Sequence, residues 1–196
     1  MGQRKLKIAI TGSIGSGKSL FAGFIQEKGY TVINADNVSK EILASDSEVK
    51  KKVKETFGES SFTGNEINLK YLAEKVFSSP ENVLRINSIL HPLVVEKINK
   101  MMDNELLNNE KVFVEAALIY EANMENMFDL VVLITANQEV RYKRKSEGLD
   151  YNDFLKRNSN QIPDEEKRKA ADFIFENNGS TEELKRKAEL LLALLG

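Results

Sequence analysis

An α/β fold of three layers, with a parallel five-stranded sheet between helices, is what this 196-residue sequence predicts. Three observations carry the prediction. Short β-rich runs alternate with stretches whose apolar residues recur at helical spacing. A glycine-rich turn, "GSIGSGKS" at 12–19, joins the first such run to the first helical stretch. One long segment, 37–109, holds helical patterns and no convincing strand. Strands that alternate with helices need crossover connections, which cover a parallel sheet on both faces and are almost always right-handed.

In chain order, "KLKIAIT" ends at the glycine turn as the first strand, and "SLFAGFIQEKG" follows as a helix with Gly29 in the position of its C-cap. "TVIN" is the second strand. The 37–109 segment then reads as an inserted helical subdomain, in which "NLKYLAEKVF" and "HPLVVEKINKMM" each carry an apolar face. Within it Pro80 and Pro92 are expected to start separate helices, since proline suits a first turn and disrupts an interior. "KVFVEA" and "FDLVVLITA" are the third and fourth strands. The segment 137–171, rich in both charge signs and interrupted by Gly148 and Pro163, reads as helices joined in a mobile lid. "DFIF" is a brief fifth strand, and "STEELKRKAELLLALL" closes the chain as an amphipathic helix with Ser180 and Glu183 forming a capping box. The whole, 1–196, reads as one domain carrying two elaborations, 37–109 and 137–171.

Composition narrows the function classes. A net charge of -2 provides no broad basic field, so no nucleic-acid partner is expected. No apolar run approaches the roughly 20 residues that span a bilayer, and "MGQRKLKIAI" runs into a strand pattern instead of a signal-peptide core. The expectation is a cytoplasmic protein without a membrane partner, a monomer or weak homo-oligomer. Zero cysteines exclude disulfides, thiol catalysis and thiolate metal sites, and one histidine, His91, cannot by itself assemble a zinc centre. Any metal is a hard ion held by oxygens, such as magnesium.

The glycine turn has the spacing of a phosphate cradle, Gly, four residues, Gly-Lys-Ser. Glycine at 12, 15 and 17 lets successive N–H groups turn inward around phosphate oxygens. The expected nucleotide-binding set is Gly12, Ile14, Gly15, Ser16, Gly17, Lys18, Ser19 and Leu20. Lys18 adds a point charge at the β/γ phosphates of a nucleotide, Ser19 places a hydroxyl for Mg²⁺, and the helix that begins there turns its positive dipole end to the same phosphates. Three classes could use such a site. A GTPase switch needs Asn-Lys-x-Asp and Asp-x-x-Gly elements, and neither occurs. An ATPase coupled to motion could use Glu115, at a strand end, as metal ligand and water activator. A small-molecule kinase needs an acceptor-binding subdomain and a basic lid, for which 37–109 and 137–171 are candidates.

Five stretches in fixed order carry a resemblance: "ITGSIGSGKS", "VINAD", "ILHPLV", "ALIYE" and "QIPDEEKRKAADFIFENNG". Together they make the whole chain similar to the dephospho-CoA kinases, P-loop enzymes of coenzyme A synthesis. The resemblance implies a P-loop kinase core with a helical CoA-binding insertion and a lid. It further implies ATP with Mg²⁺ as phosphate donor, and as acceptor the 3′-hydroxyl of the ribose of dephospho-CoA. Asp36 matches the catalytic aspartate, which accepts a proton from that hydroxyl or orients it, and His91 matches a residue lining the acceptor site. Arg144, in the basic cluster of Arg141, Lys143, Arg144 and Lys145, is the candidate for the transferring phosphate, because Ser146 and Glu147 stand where relatives have Arg-Asp. Arg157, Arg168 and Asn177 match nucleotide-side positions. Asn34 replaces an aspartate frequent in the family, and Glu115 to Ile119 lacks the usual proline, with Ala117 at its place. Glu121 reads as a surface carboxylate.

Overall fold

A computed structural model of the chain describes residues 4–145, 148 and 150–196. Five strands, β1 (Leu6–Thr11), β2 (Val32–Asn34), β5 (Lys111–Glu115), β6 (Leu130–Thr135) and β7 (Phe173–Glu176), form one parallel sheet in the order β2, β5, β1, β6, β7. The remaining two strands, β3 (Phe62–Thr63) and β4 (Glu66–Ile67), pair antiparallel elsewhere. β1 lies at the centre because both of its faces can be buried: Ile8, Ala9 and Ile10 are wholly inaccessible.

On one face of the sheet Ile8, Ile10, Phe113, Val132, Ile134 and Phe175 pack with Phe21, Ala22, Phe24 and Ile25 of α1 (Lys18–Glu27). Leu184, Ala188 and Leu191 of α9 (Thr181–Leu195) complete that layer. The intervening residues Ala9, Val112, Val114, Val131 and Leu133 are buried too, so the sheet is covered on both sides, as a parallel sheet requires. Each Phe or Ile buried here contributes about 1.5–3 kcal/mol of transfer free energy. Asn34 pairs with Glu115, Ile10 with Glu115 and Thr135 with Glu176, so the carboxyl ends of all five strands meet at one edge. In open α/β sheets ligands bind at that edge.

Residues 35–100 form a second compact unit. It contains α2 (Ala35–Ser45), α3 (Ser47–Phe57), α4 (Leu69–Val76) and most of α5 (Pro80–Glu105). Asp46 caps α3 by accepting the N–H of Glu48 and Val49, and Asn68 caps α4 through the N–H of Tyr71. Two expectations are corrected here. The strandless reading misses β3 and β4, which are joined at Gly64 and Asn65, with Gly64 at φ 62; strands of two residues show no alternation, and the Gly-Asn turn is their only signal. Pro92 starts no helix and lies inside α5. Although an interior proline removes a hydrogen bond, Ile86, Val94 and Ile98 keep one face of the helix buried on both sides of it, and that packing carries the helix through.

The 137–171 segment contains α6 (Gln138–Lys143), α7 (Tyr151–Ser159) and α8 (Asp164–Ala170). Ser146 and Glu147 lie outside the described residues. The capping box at α9 forms by half: Ser180 Oγ accepts the N–H of Glu183 at 3.2 Å, but the Glu183 carboxylate pairs with Lys187 at 2.5 Å instead of reaching back. Among the described residues no helix is long and apolar enough to cross a membrane.

Candidate active site

Between β1 and α1 the chain makes a loop that side chains elsewhere would forbid. Gly15 has φ 78, and a Cβ there would stand 2.5 Å from the Arg141 carbonyl oxygen; at Gly17, φ 95, it would stand 2.2 Å from the Asn177 amide. Gly17 is also the N-cap of α1, and it provides no side-chain cap; the first turn carries no acid. By contrast α3, α4, α7 and α9 are capped by the side chains of Asp46, Asn68, Asp150 and Ser180. An anion at the carboxyl edge of the sheet would meet the positive dipole end of α1 with no side-chain cap and no acid in the way.

The loop's peptide planes are oriented from outside. Asn177, buried, donates from Nδ2 to the Ser16 carbonyl at 2.8 Å. In a trans peptide C=O and N–H point in opposite directions, so the Gly17 N–H turns inward. The Arg144 guanidinium donates to the Asn177 carbonyl at 2.9 Å and lies 3.4 Å from the carbonyls of Gly15 and Ser16. Burial lowers the Arg144 pKa from its ordinary value. Its head thus stands on the carbonyl side of the loop. Ile14 donates its N–H to Gln161 Oε1 at 2.9 Å, and Ser13 Oγ donates to Asp164 at 2.5 Å. A cavity of about 270 Å³ opens beside the loop, lined by Gly17, Lys18, Ser19, Leu20, Arg144, Asn177 and Thr181.

Ser19 Oγ donates to Glu115 Oε1, and Asn34 Nδ2 donates to Glu115 Oε2 at 2.7 Å. An exposed hydroxyl and a buried carboxylate are hard oxygen donors, which suits Mg²⁺, an ion that takes few protein ligands and shares phosphate oxygens. Among the described residues no group of three or more His, Asp or Glu side chains could hold a metal by itself. The residues present therefore fit an ion that arrives with a polyphosphate.

Arg168 donates to Thr135 Oγ1 at 3.1 Å and to Glu176 at 2.7 Å, at the ends of β6 and β7. Arg157 is half-buried in the last turn of α7. In the 35–100 unit Asp36 is exposed in the first turn of α2, and His91 is half-buried within α5. Glu121 corrects its reading as a surface carboxylate. Its side chain is 13% exposed, pairs with the fully buried Lys167 ammonium at 2.8 Å and accepts the Ile162 N–H at 2.8 Å. Sequence reasoning assigned no role to Gln161 or Asp164, although both stand in the "QIPDEEK" stretch; polar residues beside a proline between two helices were the available signal.

Comparison with known proteins adds independent findings. A family model described as dephospho-CoA kinase matches residues 6–183. A dephospho-CoA kinase of Corynebacterium efficiens is 32% identical over 192 residues, covering 96% of each chain. A crystal structure from Thermus thermophilus superposes with a TM-score of 0.81 at 33% identity, covering 98% of this chain and 99% of that one. A dephospho-CoA kinase from Campylobacter jejuni gives 0.68 at 28% identity, covering 98% of both.

Proposed function

The chain belongs to the dephospho-CoA kinase family, and on that premise we propose how its residues carry the phosphorylation of dephospho-CoA by ATP. The γ-phosphate passes to the 3′-hydroxyl of the ribose, giving coenzyme A and ADP. The observation that most supports this assignment of residues is the start of α1, which has neither a side-chain cap nor an acid in its first turn, whereas α6 and α8, also without side-chain caps, begin with acids.

In this reading the triphosphate lies over the loop, with the inward N–H groups and Lys18 on its β and γ groups. The nucleoside extends into the cavity beside Arg144, Asn177 and Thr181. Arg144 holds the loop carbonyls and closes that cavity, and Arg168 stays with the strand ends as a support. Ser19 and Glu115 would hold Mg²⁺, which would supply positive charge against the developing charge on the phosphates. Glu115 holds the Ser19 hydroxyl, and Asn34 in turn fixes the other oxygen of Glu115.

Asp36 engages the acceptor hydroxyl, and His91 belongs to the helical unit proposed to take dephospho-CoA. The hydroxyl oxygen bonds to γ-phosphorus as the bond to the β–γ bridging oxygen breaks, and ADP leaves in line. Because such transition states are loose, the hydroxyl proton passes late to the Asp36 carboxylate, and orientation by Asp36 matters more than its basicity. The test is CoA formation from ATP, Mg²⁺ and dephospho-CoA, read by mass beside a no-acceptor control. Asp36→Asn is expected to lower turnover far more than ATP affinity; equal loss of both would assign Asp36 to nucleotide binding or to the fold.

A further inference from the structure

Arg141 is a buried cation that the mechanism above does not use. It is 7% exposed. One guanidinium nitrogen donates to Asn158 Oδ1 at 2.7 Å and lies 3.5 Å from the Ile14 carbonyl oxygen, and the group stands over the Phe154 ring, 5.9 Å from its centroid. Nε has no hydrogen-bond partner. Every one of these neighbours is neutral, and among the described residues no carboxylate pairs with Arg141. Of the other buried cations among the described residues, Lys167 has a carboxylate at 2.8 Å and Lys111 donates to the chain-terminal Gly196 oxygen.

A guanidinium removed from water without a counter-ion is costly, and the fold keeps it next to the phosphate loop. Its backbone is what crowds Gly15, and its head lies against Ile14. An anion on the inner side of the loop would be separated from this charge only by the loop backbone. We infer that Arg141 is a fixed cation of the nucleotide site, whose counter-ion is the polyphosphate of the bound nucleotide. The inference rests on the reading of 12–19 as the triphosphate site. Unlike Lys18, Arg141 acts from behind the loop, through charge, and favours two or three phosphates over one.

Two substitutions test it by calorimetric titration with AMP, ADP and ATP and by thermal unfolding without nucleotide. Arg141→Gln removes the charge while an amide can still donate to Asn158. It is expected to weaken ADP and ATP by about tenfold to a hundredfold and AMP by less than about threefold, with the nucleotide-free melting temperature unchanged or raised. Asn158→Asp gives Arg141 an internal counter-ion. It should raise the nucleotide-free melting temperature and weaken ATP by about tenfold, and it decides the matter if Arg141→Gln fails to fold. Unchanged ATP affinity in Asn158→Asp, or equal losses for AMP, ADP and ATP in Arg141→Gln, overturns the inference. Failure of the unsubstituted protein to bind ATP would instead remove the reading of the loop on which it stands.

Discussion

Along the first half of the phosphate loop the Ser13 hydroxyl and the Ile14 N–H are taken by side-chain acceptors, whereas along the second half the carbonyls of Gly15 and Ser16 are approached by donors, with Arg141 beside the Ile14 carbonyl at the junction. Asp164 and Gln161 take the Ser13 hydroxyl and the Ile14 N–H. Arg144 and Asn177 approach the carbonyls of Gly15 and Ser16. The difference tells the two halves apart in function. Where an outward N–H is already spent on Gln161, none is left for a ligand; where a carbonyl is held outward, the N–H of the same plane is delivered inward. It also explains how a carboxylate, Asp164, is tolerated beside a loop that receives anions: it faces the half whose donors are already committed. Asp164 opens α8 and Gln161 lies between α7 and α8, whereas Arg144 follows α6 and Asn177 follows β7.

The acceptor side rests on the buried pair of Lys167 and Glu121, since Glu121 also takes the Ile162 N–H next to Gln161. Breaking that pair gives the largest expected effect. Lys167→Met leaves a carboxylate buried without its cation and should cost about 3–5 kcal/mol in urea unfolding; a loss below about 1 kcal/mol would mean that the acceptor side stands without this support. Removing the key donor comes next. Asn177→Ala strips the Ser16 carbonyl of its buried partner, and the expected result is about 1–3 kcal/mol of stability together with about tenfold weaker ATP binding by calorimetry. Stability lost with ATP affinity intact would show that the donor grip holds the fold and does not set the loop's inner face.

How much of this was legible in the sequence follows from the range over which each contact acts. β1, the glycine turn and α1 were readable because spacing, periodicity and flanking context are local. Asn177 was flagged through the family resemblance, but its work is done across 161 residues of chain, at Ser16, where spacing has no voice. Glu121 was misread for the same reason: a lone carboxylate after a strand looks solvated until Lys167, far along the chain, is folded onto it. The basic run of Arg141, Lys143, Arg144 and Lys145 was visible as a cluster, but α6 has six residues, too few for an apolar stripe to show that Arg141 points inward. Pro92 was misjudged because a rule about local geometry was outweighed by the packing of Val94 and Ile98.

Gln161 offers the finest division between the halves of the loop. Gln161→Leu removes the acceptor and leaves the part-buried Ile14 N–H to water or to nothing, at a cost of about 1 kcal/mol. If the first half of the loop only braces the second, ATP affinity should change by less than about threefold, and turnover should fall moderately because the γ-phosphate sits less firmly for in-line attack. Gln161→Glu retains an acceptor oxygen but places a second carboxylate near Asp164, so a bracing role predicts partial recovery of turnover at low nucleotide affinity cost. A tenfold loss of ATP affinity in Gln161→Leu, on the order of the Asn177→Ala effect, would erase the distinction: both halves would then shape the phosphate site directly.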